Sequence, residues 1–176
     1  EAVYRLKSMG LQLVLASGDR SAAAHAVAEA VGIPQVYAEV LPEDKLRIVK
    51  RLQEEGKRVA MVGEGFNDAP ALSQADVGIA LGSGTDVAVE SADVTLLSHD
   101  LLLVETAISL SRRIRSVIRQ NLVWAFLYNV LLLPLAAGAL YPVLGRMLEP
   151  HYAGAAMALS SLSVILNSMR LRGFAK

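Results

Sequence analysis

The sequence predicts an α/β fold with a largely parallel sheet, followed by a transmembrane helical hairpin. Three observations carry this. Short apolar runs of strand length alternate with helical stretches, the pattern of parallel strands joined by crossover helices. Charge is segregated: between Gln120 and Met169 only Arg146 and Glu149 are charged. Within that region Leu122 to Leu144 and Tyr152 to Leu171 each reach the ~20 apolar residues a membrane helix needs.

Taken in order, Gln12 to Ser17 (QLVLAS) reads as a buried strand that Gly18-Asp19 turn. The alanine-rich stretch Arg20 to Val31 is helical and is stopped by Gly32 and Pro34. Val36 to Leu41 is a second short strand. Pro42-Glu43-Asp44 then opens a helix, with proline and acids at the end where the dipole favours them. It runs to Glu55 and closes at Gly56. Arg58 to Gly63, Asp76 to Leu81 and Asp93 to Leu97 are the third, fourth and fifth strands. Asp100 is the expected N-cap of a long helix leading into the first membrane span.

The 176 residues are enough for one domain with a core, or a smaller domain with something added. The chain opens at Glu1 inside an amphipathic pattern (Val3, Leu6, Met9), from which we expect it to be cut from something longer. Net charge is zero, so no overall basic field argues for nucleic acid as a partner. Without cysteine there are no disulfides and no thiolate metal sites; His25, His99 and His151 are far apart and form no metal-spaced cluster. Arg112, Arg113, Arg115 and Arg119 precede the first span, and Arg170, Arg172 and Lys176 end or follow the second. The positive-inside bias therefore places both termini in the cytoplasm and the connecting loop outside.

Ligands of parallel α/β sheets bind beyond the carboxyl ends of the strands. Those tips hold Ser17-Gly18-Asp19, Glu64 to Asp68, and Gly82 to Asp86. They supply a hydroxyl, freed amides and carboxylates, and Lys45, early in its helix, can reach the same edge. Hydroxyl, amide and lysine suit phosphoryl oxygens; hard carboxylate oxygens suit Mg²⁺, which takes one or two carboxylates plus water and phosphate. Ser-Gly-Asp alone is an ordinary turn, a lone lysine is most often solvated, and Gly-Ser-Gly-Thr-Asp reads as a turn and helix cap. Gly-Glu-Gly-Phe-Asn-Asp-Ala-Pro (63–70) is different, because acid, amide and glycine crowd the end of a buried strand.

In this order, SGD (17–19), PEDK (42–45), GEGFNDAPAL (63–72) and ADVGIALGSGTDVAVESADVTLL (75–97) resemble the motifs TGD, P-x-x-K and GDGxNDxPAL of P-type ATPases. The resemblance covers essentially the whole chain. It implies the C-terminal portion of a haloacid-dehalogenase-like Rossmann core. Residue by residue it makes Ser17 a phosphoryl ligand, with Gly18 and Asp19 shaping that pocket. Lys45 would neutralise a phosphorylated aspartate, Glu64 would hold Mg²⁺, and Asn67 and Asp68 would hold the phosphorylation-site loop. Two departures stand out. The family's nucleophilic aspartate, in DKTGT, is not in this sequence, nor is the nucleotide-binding domain that follows it. The chain by itself is therefore expected to be inactive. Glu64 also replaces aspartate, which shifts the carboxylate by ~1.5 Å, and Mg²⁺ tolerates little deviation from octahedral geometry.

Polar residues within a span are costly and usually functional. Asn129 lies beside Tyr128 in the first span, and Met157 and Ser161, four apart, share a face of the second. Ser160 and Ser163 read as close-packing residues. A thioether is a soft ligand that suits Cu(I). RQNLVWAFLYNVLLLPLAAGALYP (119–142) and MALSSLSVILNSMRL (157–171) resemble the last two membrane helices of the copper-translocating branch, its YN pair falling on Tyr128-Asn129 and its M-x-x-x-S on Met157 and Ser161.

That resemblance implies the phosphorylation domain over 1–99, a connecting helix over 100–119, membrane helices over 120–144 and 152–171, an outer loop over 145–151 and a tail over 172–176. It implies a pump exporting Cu⁺ or Ag⁺, using ATP and Mg²⁺, in the plasma (inner) membrane. Its partners would be the lipid bilayer, the actuator domain, nucleotide domain and earlier membrane helices of the same pump, and a copper chaperone. The alternative is a non-catalytic membrane protein that regulates or complements a complete pump. An independent small phosphatase of the same superfamily is a weaker third reading, since it too would need the nucleophile.

Overall fold

The computed structural model describes residues 1–82, 86–139 and 150–174. They form two compact units, Glu1–Ala107 and Ile108–Lys176.

The first unit is α/β with every strand pair parallel. After α1 (Ala2–Ser8), β1 (Val14–Ala16) pairs with β2 (Gln35–Tyr37) in the register Val14 to Gln35 and Ala16 to Tyr37. The second sheet has the order β3-β4-β5, formed by Ala60–Gly63, Val77–Leu81 and Val94–Leu96. Helices α2 (Ser21–Val31), α3 (Pro42–Glu54), α4 (Ala69–Gln74) and α5 (Asp86–Glu90) make the connections, with a 3₁₀ turn at Phe66–Asp68 ahead of α4. This is the parallel α/β architecture the alternation predicts.

β4 is central and the most deeply buried strand, with Gly78 to Leu81 all buried. α4 covers it with Ala71 and Leu72, which have no exposed surface, and a Cβ on Gly78 would stand 2.6 Å from the Leu72 carbonyl oxygen. Small residues let helix and sheet approach closely at interior packing density.

All five strands are shorter than the sequence reading has them. β2 stops at Tyr37 rather than Leu41, because Glu39 adopts a left-handed φ of 55°. There the chain bonds the loop after β1, with the Glu39 N–H to the Asp19 carbonyl at 3.0 Å and the Val40 N–H to that of Ser17 at 3.1 Å. Asp76 and Asp93 lie just ahead of their strands and act as braces. Asp76 Oδ2 accepts from the Val59 N–H at 2.8 Å and Gln53 Nε2 at 3.2 Å, while Asp93 Oδ2 accepts from the Gly78 N–H at 2.8 Å.

The second unit holds most of α6 (Leu102–Ala136), then α7 (Pro150–Met169) and a closing 3₁₀ turn at Arg170–Phe174. The expected N-cap is present, since Asp100 Oδ1 accepts from the Leu102 N–H at 2.9 Å. Most of the connecting segment 100–119 and the span as far as Ala136 form one helix of 35 residues. Leu102–Leu135 is long and apolar enough to cross a bilayer, and only 6% of its most apolar window is buried, unlike the core helix of a soluble protein. α7 is 20 residues long, with Leu159, Leu162, Ile165 and Leu166 exposed along it.

α6 closes at Ala136, earlier than the expected boundary at 144. The Gly138 N–H bonds the Leu135 carbonyl at 3.1 Å and the Ala139 N–H that of Pro134 at 2.9 Å, around a Gly138 φ of 90°. That bond pair with a left-handed glycine is the Schellman closure, which ends a helix whatever the hydropathy of the residues beyond it. Residues 140–149, including most of the expected outer loop, lie outside the described residues, as do 83–85 of the third strand tip and 175–176 of the tail. Near the middle of α6, Asn121 Nδ2 donates to Ser168 Oγ at 2.9 Å and Asn121 Oδ1 accepts from Asn167 Nδ2 at 2.8 Å.

Candidate active site

The loop after β3 is organised around Asp68, a buried carboxylate. Oδ1 takes the ammonium of Lys45 at 2.6 Å. Oδ2 faces the backbone N–H groups of Glu64 and Gly65 at 3.3 and 3.4 Å. Asp68 thus folds the turn back on itself and fixes the position of Lys45, whose helix α3 packs against the 3₁₀ turn and α4. The approach is tight: a Cβ on Gly63 would lie 2.7 Å from the Asp68 Cβ. Asn67 is exposed beside this turn, its side chain unbonded among the described residues.

Glu64 projects the other way. Its side chain is 62% exposed and Oε2 lies 2.9 Å from Nδ1 of His99. His99 follows β5, two strands from Glu64, and its ring lies over Gly82 at the end of β4. Gly82 has a left-handed φ of 67°, and a Cβ there would stand 2.3 Å from His99 Cε1. The Gly82 N–H donates to the Ser98 carbonyl at 3.2 Å, tying the two tips together. With no histidine near it in the sequence, His99 carries no metal-site signal of its own; its partner is a carboxylate 35 residues away, brought beside it by the strand order.

After β1, Ser17 Oγ donates to Asp19 Oδ2 at 2.8 Å and accepts from the Asp19 N–H at 3.2 Å. The ladder with β2 continues one step, the Ser17 N–H bonding the Tyr37 carbonyl at 2.9 Å. Gly18 lies between them, where an added Cβ would be 3.4 Å from the Val40 carbonyl oxygen. This turn and the Lys45–Asp68–Glu64 loop are separate clusters, with no hydrogen bond or ion pair joining them among the described residues.

The donors at the β3 tip suit Mg²⁺. The exposed Glu64 carboxylate keeps Oε1 uncommitted, while Asp68 is occupied by Lys45 and two amides. Mg²⁺ needs few protein carboxylates, because water and phosphate complete its shell.

On the membrane helices the four expected cargo residues are not drawn together by hydrogen bonds. Asn129 Nδ2 bonds the Ala125 carbonyl at 3.0 Å and Ser161 Oγ that of Met157 at 3.2 Å, each within its own helix. Tyr128 packs near Trp124, ring centroids 6.4 Å apart, and Met157 is exposed.

Parallel strands with a lysine–carboxylate pair beneath an acidic loop define a haloacid-dehalogenase-like domain, and the family model described as "haloacid dehalogenase-like hydrolase" matches residues 1–76. Among curated proteins, "Probable copper-transporting ATPase PacS" of Synechococcus elongatus is 58% identical over 98% of this chain and 23% of its own length. "Copper-exporting P-type ATPase" of Legionella pneumophila is 55% identical over the same shares. A solved zinc-transporting PIB-type ATPase in the E2.Pi state superposes with a TM-score of 0.83 at 37% identity, covering 97% of this chain and 27% of that one. The chain belongs to the heavy-metal-transporting P-type ATPases, and it spans less than a quarter of the length of these curated relatives.

Proposed function

We propose that the chain is the C-terminal part of an ATP-driven pump that exports Cu⁺ or Ag⁺, comprising part of the phosphorylation domain and the last two membrane helices. The observation that carries this reading is the Lys45–Asp68 pair at 2.6 Å under a loop that leaves Glu64 exposed. Phosphoryl transfer depends chiefly on positioning and charge neutralisation, which this arrangement offers.

In this reading the nucleophilic aspartate lies in a part of the pump outside this sequence. Lys45, held by Asp68, presents positive charge to the acyl-phosphate. Ser17 and the amides around Gly18 bind phosphoryl oxygens, and Asp19 orients the Ser17 hydroxyl. Glu64 and water would hold Mg²⁺, which supplies charge neutralisation when bound, and Asn67 and Asp68 keep the loop in shape. α6 couples the domain to the membrane, where Tyr128, Asn129, Met157 and Ser161 form part of the metal path.

Cu⁺ is favoured over Zn²⁺ on chemistry. From Gln120 to Met169 the sequence has no acidic residue except Glu149, whereas Met157 offers a soft thioether. The names of the more similar relatives agree.

The test is metal-stimulated phosphorylation of the complete pump. Cu⁺ or Ag⁺ should stimulate and Zn²⁺ should not, and Met157→Ala should raise the Cu⁺ concentration required. Stimulation by Zn²⁺ alone would refute the cargo assignment. Glu64→Asp should raise the phosphorylation rate and lower the Mg²⁺ requirement. An unchanged Mg²⁺ dependence would remove Glu64 from the cation site.

A further inference from the structure

We infer that His99 is a positioning residue for Glu64, and that Glu64, His99 and Gly82 form one device that lets a glutamate serve where the family motif has aspartate. The inference rests on the reading of Glu64 as the Mg²⁺ ligand and adds to it the residue that orients the carboxylate.

Strand order fixes the geometry. β3 and β5 flank β4, so their tips are separated by two strand spacings, roughly 9–10 Å. Glu64 ends one flank, His99 lies beyond the other, and the two meet across the tip of β4 at 2.9 Å. The crossing needs a long side chain on one side and a ring on the other. It also needs no Cβ beneath the ring, and the residue there is Gly82. An aspartate at position 64 would fall short by ~1.5 Å, a bond's projection. His99 thus has a use for the glutamate that it would not have for the shorter acid.

The chemical consequence concerns one oxygen. A free glutamate explores several rotamers, and fixing them costs binding free energy that a shorter aspartate does not lose to the same extent. The His99 N–H holds Oε2 and leaves Oε1 as a single oriented donor. Hydrogen bonds to a ligating carboxylate contribute to affinity in just this manner, and removing such a partner typically weakens metal binding 10–100-fold. The role requires the tautomer with hydrogen on Nδ1, since the carboxylate accepts.

The experiment is Mn²⁺ titration, followed by the EPR signal of free Mn²⁺, of the complete nucleotide-free pump carrying this chain. Binding that survives Glu64→Ala is subtracted. His99→Ala should weaken the Glu64-dependent binding about tenfold, without a change in melting temperature. His99→Asn should recover most of the loss, since its amide can donate from near the Nδ1 position, and Gly82→Ala should mimic His99→Ala by displacing the ring. In a Glu64→Asp background, His99→Ala should change Mn²⁺ affinity by less than about twofold, because the shorter acid does not reach the ring.

Equal losses from His99→Ala in the unaltered and the Glu64→Asp backgrounds would make His99 a general structural residue and overturn the inference. So would unchanged binding in His99→Ala when Glu64→Ala weakens it. Tighter binding in His99→Ala would show a competitor for Glu64 and overturn it also. If Glu64→Ala itself leaves Mn²⁺ binding intact, the Mg²⁺ assignment of Glu64 fails, and the role of His99 fails with it.

Discussion

Lys45 and Asp68 stand 2.6 Å apart with their side chains only 17% and 12% exposed, so each shields the other from a costly unpaired state. Removing one partner of a sheltered charged hydrogen bond leaves the other desolvated. Lys45→Met is expected to destabilise the first unit by about 2–3 kcal/mol and to abolish phosphorylation of the complete pump. The double variant Lys45→Met/Asp68→Asn should recover part of the stability and none of the phosphorylation. Thermal melting beside a phosphorylation assay separates the two effects.

Gly63 meets the Asp68 side chain where a Cβ would be 2.7 Å from its Cβ and 2.8 Å from Oδ2. Gly63→Ala is therefore expected to push Asp68 off the Glu64 and Gly65 amides. Overpacking of this kind costs about 1–3 kcal/mol. A fall in melting temperature together with lost phosphorylation is the expected result, and an alanine variant with wild-type stability would contradict the observed packing.

Asp76 contributes to the pH dependence of stability. The Val59 N–H and then Gln53 bond its carboxylate and hold it below its ordinary pKa of 3.8. A depressed carboxylate contributes stability above the unfolded pKa, and that contribution is lost as pH falls through the lower folded value. Asp76→Asn should lower the melting temperature at pH 7. It should also flatten the decline in stability of the first unit as pH falls below about 4, measured by thermal melts across acid pH.

In the second unit, Asn121 bonds both Asn167 and Ser168 across the two helices. Interhelical hydrogen bonds of this kind in membranes average about 0.6 kcal/mol, up to ~1.7. Asn121→Leu removes both, so a loss of about 1–2 kcal/mol is expected, read as a lower unfolding midpoint in detergent. Ser168→Ala, which removes one, should cost less.

The order of strands and helices was legible in the sequence because each element announces itself locally. Apolar runs end in glycine, and Pro42 and Asp100 mark helix starts. Lys45 and the acidic loop were also legible, being dense motifs on adjacent elements. What was hidden depends on distance or backbone angle. Nothing in Glu39 itself signals that it will take a left-handed φ and end β2 early. Gly138 sits in an apolar run, where hydropathy argues for continuation while the backbone argues for closure. His99 became meaningful only when β5 was placed one strand beyond β4, setting a ring over Gly82 and beside a carboxylate on β3.

The two parallel sheets have a further consequence. β1 pairs only with β2, and β3 only with β4, so each of these strands keeps one row of backbone donors and acceptors without a strand partner among the described residues. Such rows are templates for another extended chain. If the segment 1–107 is expressed alone, the expected difficulty is colloidal rather than thermodynamic: molecules that fold and then join edge to edge. A short β-forming peptide in excess should suppress that joining by taking the open places first.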